Sequence, residues 1–241
     1  MQHPGKEAAT SRLVIPPAYE VVVDRLRRTI LLSIYRPGDK FPPERVHAEQ
    51  LGVSRVTLRE AIRVLAGEGL VEARRGATGG VVVLDRRVSV HALRRRLGES
   101  VAELEAISDF RLANERCAAQ RAATRITREQ LEGLEASIGA MRDCESVAEF
   151  RAADSSFHVG IAQAAGSALL RRAVEDARIE LFTYLDALDY ELVLPTTISA
   201  HRRILDALRE GDAKRAGRAM ERHLTTTWDE VLAVIEEPAA G

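Results

Sequence analysis

The sequence predicts a mainly α-helical protein, with an N-terminal winged helix-turn-helix carrying a small β-hairpin and a C-terminal all-α helical bundle. Three observations predict it. The first 86 residues alternate apolar helical stripes with glycine turns and finish in two short β-type runs. From about Val101 onward, stripes of helical spacing recur to the end of the chain with no convincing strand. The charge is lopsided: 15 Lys/Arg against 10 Asp/Glu precede Val88, and 20 against 26 follow it, within a net charge of −1. A basic front and an acidic back suit a nucleic-acid-binding module joined to something else.

Each element has its own local signal. Residues 1–14 are polar and aperiodic and are expected to be a disordered tail. Pro16-Pro17 opens a stripe at Tyr19, Val22, Val23, Leu26 and Ile30, an amphipathic helix. A turn at 35–39 leads to Pro42-Pro43-Glu44, where the prolines suit a helix start. That helix runs to Leu51 and stops at Gly52, the preferred left-handed cap. Ser54 caps the next helix, whose inward face is Leu58, Ala61, Ile62 and Leu65 and which ends at Gly67–Gly69. Strands over 70–73 and 81–84 flank a glycine-rich tip. The expected organisation is a reading domain over 15–86, a linker or connecting helix over 87–97, a helical domain over 98–235 and a tail over 236–241. Breaks within the helical part are expected at Ala165-Gly166-Ser167, at Pro195 and at Gly211-Asp212.

Composition narrows the class further. The two cysteines, Cys117 and Cys144, lie far apart with no paired spacing, as in a reduced cytoplasmic protein, and are expected only to pack. No apolar run approaches the ~20 residues of a membrane span, and the N-terminus has no apolar signal-peptide core, so no membrane partner is expected. Trp228, Phe182, Tyr184 and Tyr190 read as core or dimer packing.

In a helix-turn-helix the second helix enters the major groove, so its first turns carry the side chains that read DNA. Ser54, Arg55, Thr57 and Arg59 lie off the apolar face there, and Arg63 continues the basic edge. An arginine fork can bond guanine O6 and N7 together or grip phosphate. Arg45 is placed to reach DNA from the preceding helix, and the glycine-rich wing permits close backbone approach.

The helical part carries a polar anomaly. Three inward stripes are interrupted by groups that are costly to bury: Asp154 and His158 between Phe150 and Ile161, His201 between Ile198 and Ile204, and His223 beside Met220 and Leu224. Asp154 and His158 are four apart and project from one helix face. One oxygen and three nitrogen donors suit a divalent ion, Zn²⁺ or Ni²⁺, with positions left open. Arg111, on the stripe Leu104, Ile107, Arg111, Asn114, Ala118, needs an anion: Glu115, another acidic side chain, or a ligand carboxylate.

Both halves resemble known families. The stretch PGDKFPPERVHAEQLGVSRVTLREAIRVLAGEGLVEARRGATGG closely resembles the GntR family of bacterial repressors, through PGDKFPPER, LGVSR, LRE and EGL. The resemblance implies DNA contacts from Arg45, Ser54, Arg55, Thr57 and Arg59, with Gly76 at the wing; Val56 stands in a slot that is often threonine. From about Leu97 to Val234 the chain resembles, through sparser motifs, the effector domain of the FadR subfamily, of the FCD type. That likeness implies that Asp154, His158, His201 and His223 hold a divalent ion and that a small organic acid binds the ion and Arg111. Acyl-CoA-responsive members lack the quartet, so its presence favours a small carboxylate effector. Ser167 replaces the usual asparagine.

The leading expectation is a dimeric, ligand-responsive regulator on double-stranded, palindromic operator DNA, a repressor released by its acid. A metal sensor and a metal-dependent hydrolase are the alternatives, with a purely structural ion beneath all three.

Overall fold

The computed structural model describes residues 16–74, 79–84, 97–185 and 194–236. Helix α1 (Ala18–Leu31) starts directly after Pro17 and buries Val22, Val23, Leu26, Ile30 and Leu31. Helices α2 (Glu44–Leu51) and α3 (Arg55–Gly67) are joined through Gly52, whose φ of 68° turns the chain. Leu58, Ala61 and Leu65 are fully buried against α1, while Ile62 sits at the margin of that face.

Strands β1 (Val71–Arg74) and β2 (Gly80–Val83) pair antiparallel, Val71 opposite Val83 and Arg74 opposite Gly80. Each strand is displaced by one residue from the sequence expectation. Gly69, at φ 71°, makes a left-handed cap that spends the Leu70 N–H on Leu65 O. The pairing nevertheless reaches Leu84, whose N–H donates to Leu70 O. Lys40, from a third segment of the chain, adds an isolated bridge to Val82 that the sequence pattern did not predict. The wing-tip residue Gly76, the bulk of the 87–97 linker and Tyr190 lie outside the described residues.

Among the described residues the second half contains α4 (Val101–Ala123), α5 (Arg128–Arg142), α6 (Val147–Ala164), α7 (Ala168–Leu185), α8 (Leu194–Arg209) and α9 (Ala213–Glu236). Helix α4 packs on α9, α6, α7 and α8, and α5 packs on α6 and α8. The core mixes small and large side chains, including Ala118, Ala119, Ala122, Leu134, Phe157, Ile161, Ile204 and Met220. Helix approach is tight where α5 meets α6: a Cβ on Gly160 would stand 2.8 Å from Leu134 Cδ2.

Gly166 and Gly211 break the chain where expected, and Asp212 Oδ1 accepts the Arg215 N–H at 2.9 Å as a cap. Pro195 is a correction: it lies inside the first turn of α8 rather than at a break. A proline is tolerated there because first-turn N–H groups have no helical partner.

The two halves share a packed seam. Ile179 of α7 is buried in the apolar cluster to which α1 contributes most, and Arg28 of α1 pairs with Asp176 of α7. Arg151 of α6 lines a cleft with Ile30, Leu31, Leu70 and Val83. The seam therefore connects α6 and α7 to the helix that backs α3.

Candidate functional site

At the start of α3, Ser54 accepts the Thr57 N–H at 3.0 Å, and the two hydroxyls are 2.8 Å apart. Arg55 and Arg59 are exposed, one turn apart, and converge on one carboxylate: each donates its Nε to Glu44, at 2.7 Å. Hydrogen bonds from the two arginines hold the Glu44 carboxyl below its usual range. Arg45 is exposed, 3.5 Å from Glu49, and Arg63 pairs with Glu60. Val56, 67% exposed at the first turn of α3, offers a methyl surface of the kind that meets thymine methyls.

In the bundle, three helices, α6, α8 and α9, bring the inward Asp and His side chains to one point. The Nε2 atoms of His158, His201 and His223 form a near-equilateral triangle with sides of 3.2, 3.2 and 3.3 Å. Asp154 Oδ1 lies 3.7 Å from His158 Nε2 and 3.6 Å from His201 Nε2. Tetrahedral ligands about 2.0–2.1 Å from an ion stand about 3.3–3.4 Å apart, and octahedral neighbours about 3.0 Å, so the spacing fits a divalent ion. Three ring nitrogens facing each other cannot all satisfy one another. All three histidines are buried, and His201 Nδ1 has no hydrogen-bond partner.

A second layer orients these groups. Glu115 Oε2 takes a short bond with His158 Nδ1, which turns the Nε2 lone pair of His158 toward the centre. The other oxygen of Glu115 accepts Arg111 Nε at 2.8 Å. Arg178, fully buried, grips Asp154 Oδ2 and leaves Oδ1 facing the histidines. Its guanidinium also lies over the Phe182 ring, 5.0 Å from the centroid. His201 stacks on Phe157 at 4.0 Å. Beside the centre, Arg111, Phe150, Asp154, Thr197 and His223 line a cavity of about 60 Å³.

Burial followed by the neighbouring imidazoles drives His201 well below its ordinary 6.5, and burial and then His158 take His223 to about 3. Burial alone would raise Glu115, but Arg111, His158 and Arg178 together outweigh it and hold the carboxyl far below the usual range. For Asp154 burial is likewise outweighed by Arg178 and the three histidines. His201 and His223 are therefore neutral near pH 7, as ion ligands must be.

A pH dependence follows. A histidine depressed on folding stabilises the fold fully above pH 6.5 and loses that contribution as pH falls from 6.5 toward its folded value. In chelator the melting temperature is expected to drop by several degrees between pH 7.5 and 5, with a smaller drop in His223→Gln. Buried His47, also depressed by burial, adds the same sign, so the difference between the two proteins is the measurement.

Sequence reasoning located Arg111, Asp154, His158, His201 and His223, and the structure brings all five together. It missed Arg178, although the same signal was present: an arginine in the stripe of Val174, Ala177 and Leu181. It also gave Glu115 one partner where the structure gives it two.

Comparisons with known proteins match the two halves of the chain separately. Residues 18–83 match the model of bacterial regulatory proteins of the gntR family, and residues 105–226 match the FCD domain. The Uxu operon transcriptional regulator of Escherichia coli K12 is 32% identical over 234 residues, covering 89% of this chain and 86% of that protein. A putative L-lactate dehydrogenase operon regulatory protein of the same organism is 30% identical, covering 85% of this chain and 82% of its own. The solved structure of E. coli McbR/YncC shares the fold, with a TM-score of 0.55 at 15% identity over 90% of this chain and 98% of that one. The relatives are regulators rather than enzymes, which settles the hydrolase alternative, and no helix among the described residues is long and apolar enough to cross a membrane. The chain belongs to the GntR family of DNA-binding transcriptional regulators and carries an FCD domain behind its winged helix-turn-helix.

Proposed function

We propose that the chain is a homodimeric repressor of a palindromic operator, released by a small organic acid that binds beside a divalent ion. Asp154, His158, His201 and His223 would hold the ion, Zn²⁺ or Ni²⁺, which supplies a Lewis-acidic anchor for a carboxylate. Arg111, on the wall of the adjoining cavity, provides the second anchor. One observation carries this reading: three buried Nε2 atoms 3.2–3.3 Å apart around a common point. The two α3 helices of a dimer, with Arg45, Ser54, Arg55, Thr57 and Arg59 at the groove and Gly76 at the wing, would read the half-sites.

The packing supplies a link between input and output. Arg178 holds Asp154 from α7, and the next turn-face of the same helix presents Asp176 to Arg28 and Ile179 to the α1–α3 core. Helix α7 thus contacts Asp154 of the ion site and also α1, the helix on which α3 packs. Two ligands are coupled when both bias one element, and here that element is α7.

The test is operator binding by zinc-loaded protein, titrated with L-lactate first, because one relative is named for a lactate dehydrogenase operon, and then with other small acids. The expected result is salt-sensitive preference for the protein's own promoter over random DNA, weakened by one acid at least about tenfold, a coupling of roughly 1.4 kcal/mol. Arg178→Met should bind DNA normally but lose most of that response. A response to the ion alone, with none to any acid, would make the protein a metal sensor. No preference for the promoter would overturn the regulatory reading at its root.

A further inference from the structure

A second cavity opens on the outer side of the same site. The groove between α8 and α9 has a volume of about 570 Å³, within the range of about 300–1,000 Å³ typical of ligand clefts. Four arginines line it, Arg203, Arg215, Arg218 and Arg222, against one carboxylate, Glu230. Arg215, Arg218 and Arg222 recur at intervals of three and four and so share one face of α9. Arg203 donates to Ser199 Oγ, and Arg215 pairs with Glu210. Arg218 and Arg222 have no ion pair or hydrogen bond among the described residues. Most exposed arginines are simply solvated. Here Arg203, Arg218 and Arg222 share one concavity with a single lining carboxylate, Glu230, and a cleft of net positive charge concentrates counter-charge.

The groove also abuts the ion site. Thr197, His223 and Thr227 line both this groove and the inner cavity of about 60 Å³, so the two spaces meet at these three side chains. A space that small holds a carboxylate-sized group and little more.

We infer that the α8–α9 groove is an anion subsite, and that the effector is a small di- or polyanionic acid. One carboxylate enters the inner cavity, and a phosphate or second carboxylate lies against Arg218 and Arg222. This rests on the proposed acid-responsive ion site and names the class of acid. Planar guanidinium forks bind phosphate and carboxylate oxygens in pairs, which favours such groups over a neutral tail.

The experiment uses full-length, zinc-loaded protein and two probes in calorimetric and thermal-shift titrations. Acetate reports the inner cavity, and inorganic pyrophosphate reports the groove. Saturable pyrophosphate stabilisation is expected, weakening with salt, and Arg218→Ala/Arg222→Ala should raise its dissociation constant about tenfold or more. Zinc content, the acetate response and promoter affinity should stay at wild-type values in that variant. Citrate and 3-phosphoglycerate, compared under the same conditions, then show whether carboxylate or phosphate is the preferred outer group. Absence of pyrophosphate binding, or the same affinity in the double variant, overturns the subsite. Lost promoter affinity in the variant would instead assign the groove to DNA, and a changed oligomeric state would assign it to a second copy; either overturns the proposal. Failure of the ion-site reading looks different: pyrophosphate binds with its arginine dependence intact, while acetate has no effect at any zinc level. That outcome keeps the anion groove and removes its link to the ion.

Discussion

His201→Ala is expected to purify with no bound divalent ion and to bind promoter DNA normally but without any response to acid. The reason is geometric. His201 Nε2 is 3.2 Å from both partner imidazoles and 3.6 Å from Asp154 Oδ1, slightly closer to the other three donors than His158 Nε2 at 3.2, 3.3 and 3.7 Å. Outer-layer changes at metal sites cost about 10–100-fold in affinity, and losing a direct donor exceeds that. Two effects on stability oppose each other. Truncation opens a cavity against Phe157, on which the ring stacks; it also removes a buried ring nitrogen that has no partner. His223→Gln, which preserves more volume, is the companion variant if His201→Ala folds poorly. Glu115→Gln grades the effect: His158 keeps its place but loses its carboxylate, so ion affinity should fall by about 10–100-fold rather than vanish. Metal analysis after dialysis, with operator titrations in parallel, checks all three. Wild-type zinc retention by His201→Ala would sink the four-ligand centre.

The quartet was legible because its members break a rule that is easy to see. Phe150, Phe157 and Ile161 fix the inward face of α6, and Asp154 and His158 fall on it. The same logic exposes Arg111 on α4. Arg178 breaks the same rule, yet α7 also carries Arg171, Arg172, Glu175, Asp176 and Glu180, and this dense charge makes the helix read as a solvated face. Only tertiary packing separates the buried guanidinium from the exposed ones. Pro195 is a similar case. A proline marks a helix boundary in sequence, but whether it precedes the helix or sits in its first turn depends on how α8 docks on its neighbours.

The reading face shows where local signal ends. Arg55 and Arg59 are visibly off the apolar face, and both are exposed. That Glu44 reaches both from 11 and 15 residues earlier depends on the crossing of α2 over α3. Glu44 presents the two guanidinium groups side by side and partly neutralises them before DNA arrives. If these arginines meet DNA as proposed, a carboxylate in that position would do two things at once: pre-order the arginines and penalise contact with any phosphate that cannot displace it.

From this arrangement follows the expected effect of disarming α3. Arg55→Ala and Arg59→Ala should each weaken specific operator binding by roughly 1–3 kcal/mol, about 5- to 150-fold, and the double variant should approach non-specific affinity. Salt dependence separates their roles. Loss of a phosphate contact weakens operator and random DNA alike and lowers the salt slope by about one unit. Loss of a base contact weakens the operator selectively. Glu44→Gln should act in the opposite sense on random DNA. It frees both guanidinium groups and removes a negative charge from the interface, so non-specific affinity rises and the specificity ratio falls. Fluorescence-anisotropy titrations of the wild type and the four variants on promoter and scrambled duplexes, at two salt concentrations, give all of these quantities. If Arg55→Ala and Arg59→Ala both bind the promoter like wild type, α3 is not the reading helix. If Glu44→Gln leaves the ratio unchanged, its carboxylate only caps the arginines in the free protein and takes no part in choosing the DNA.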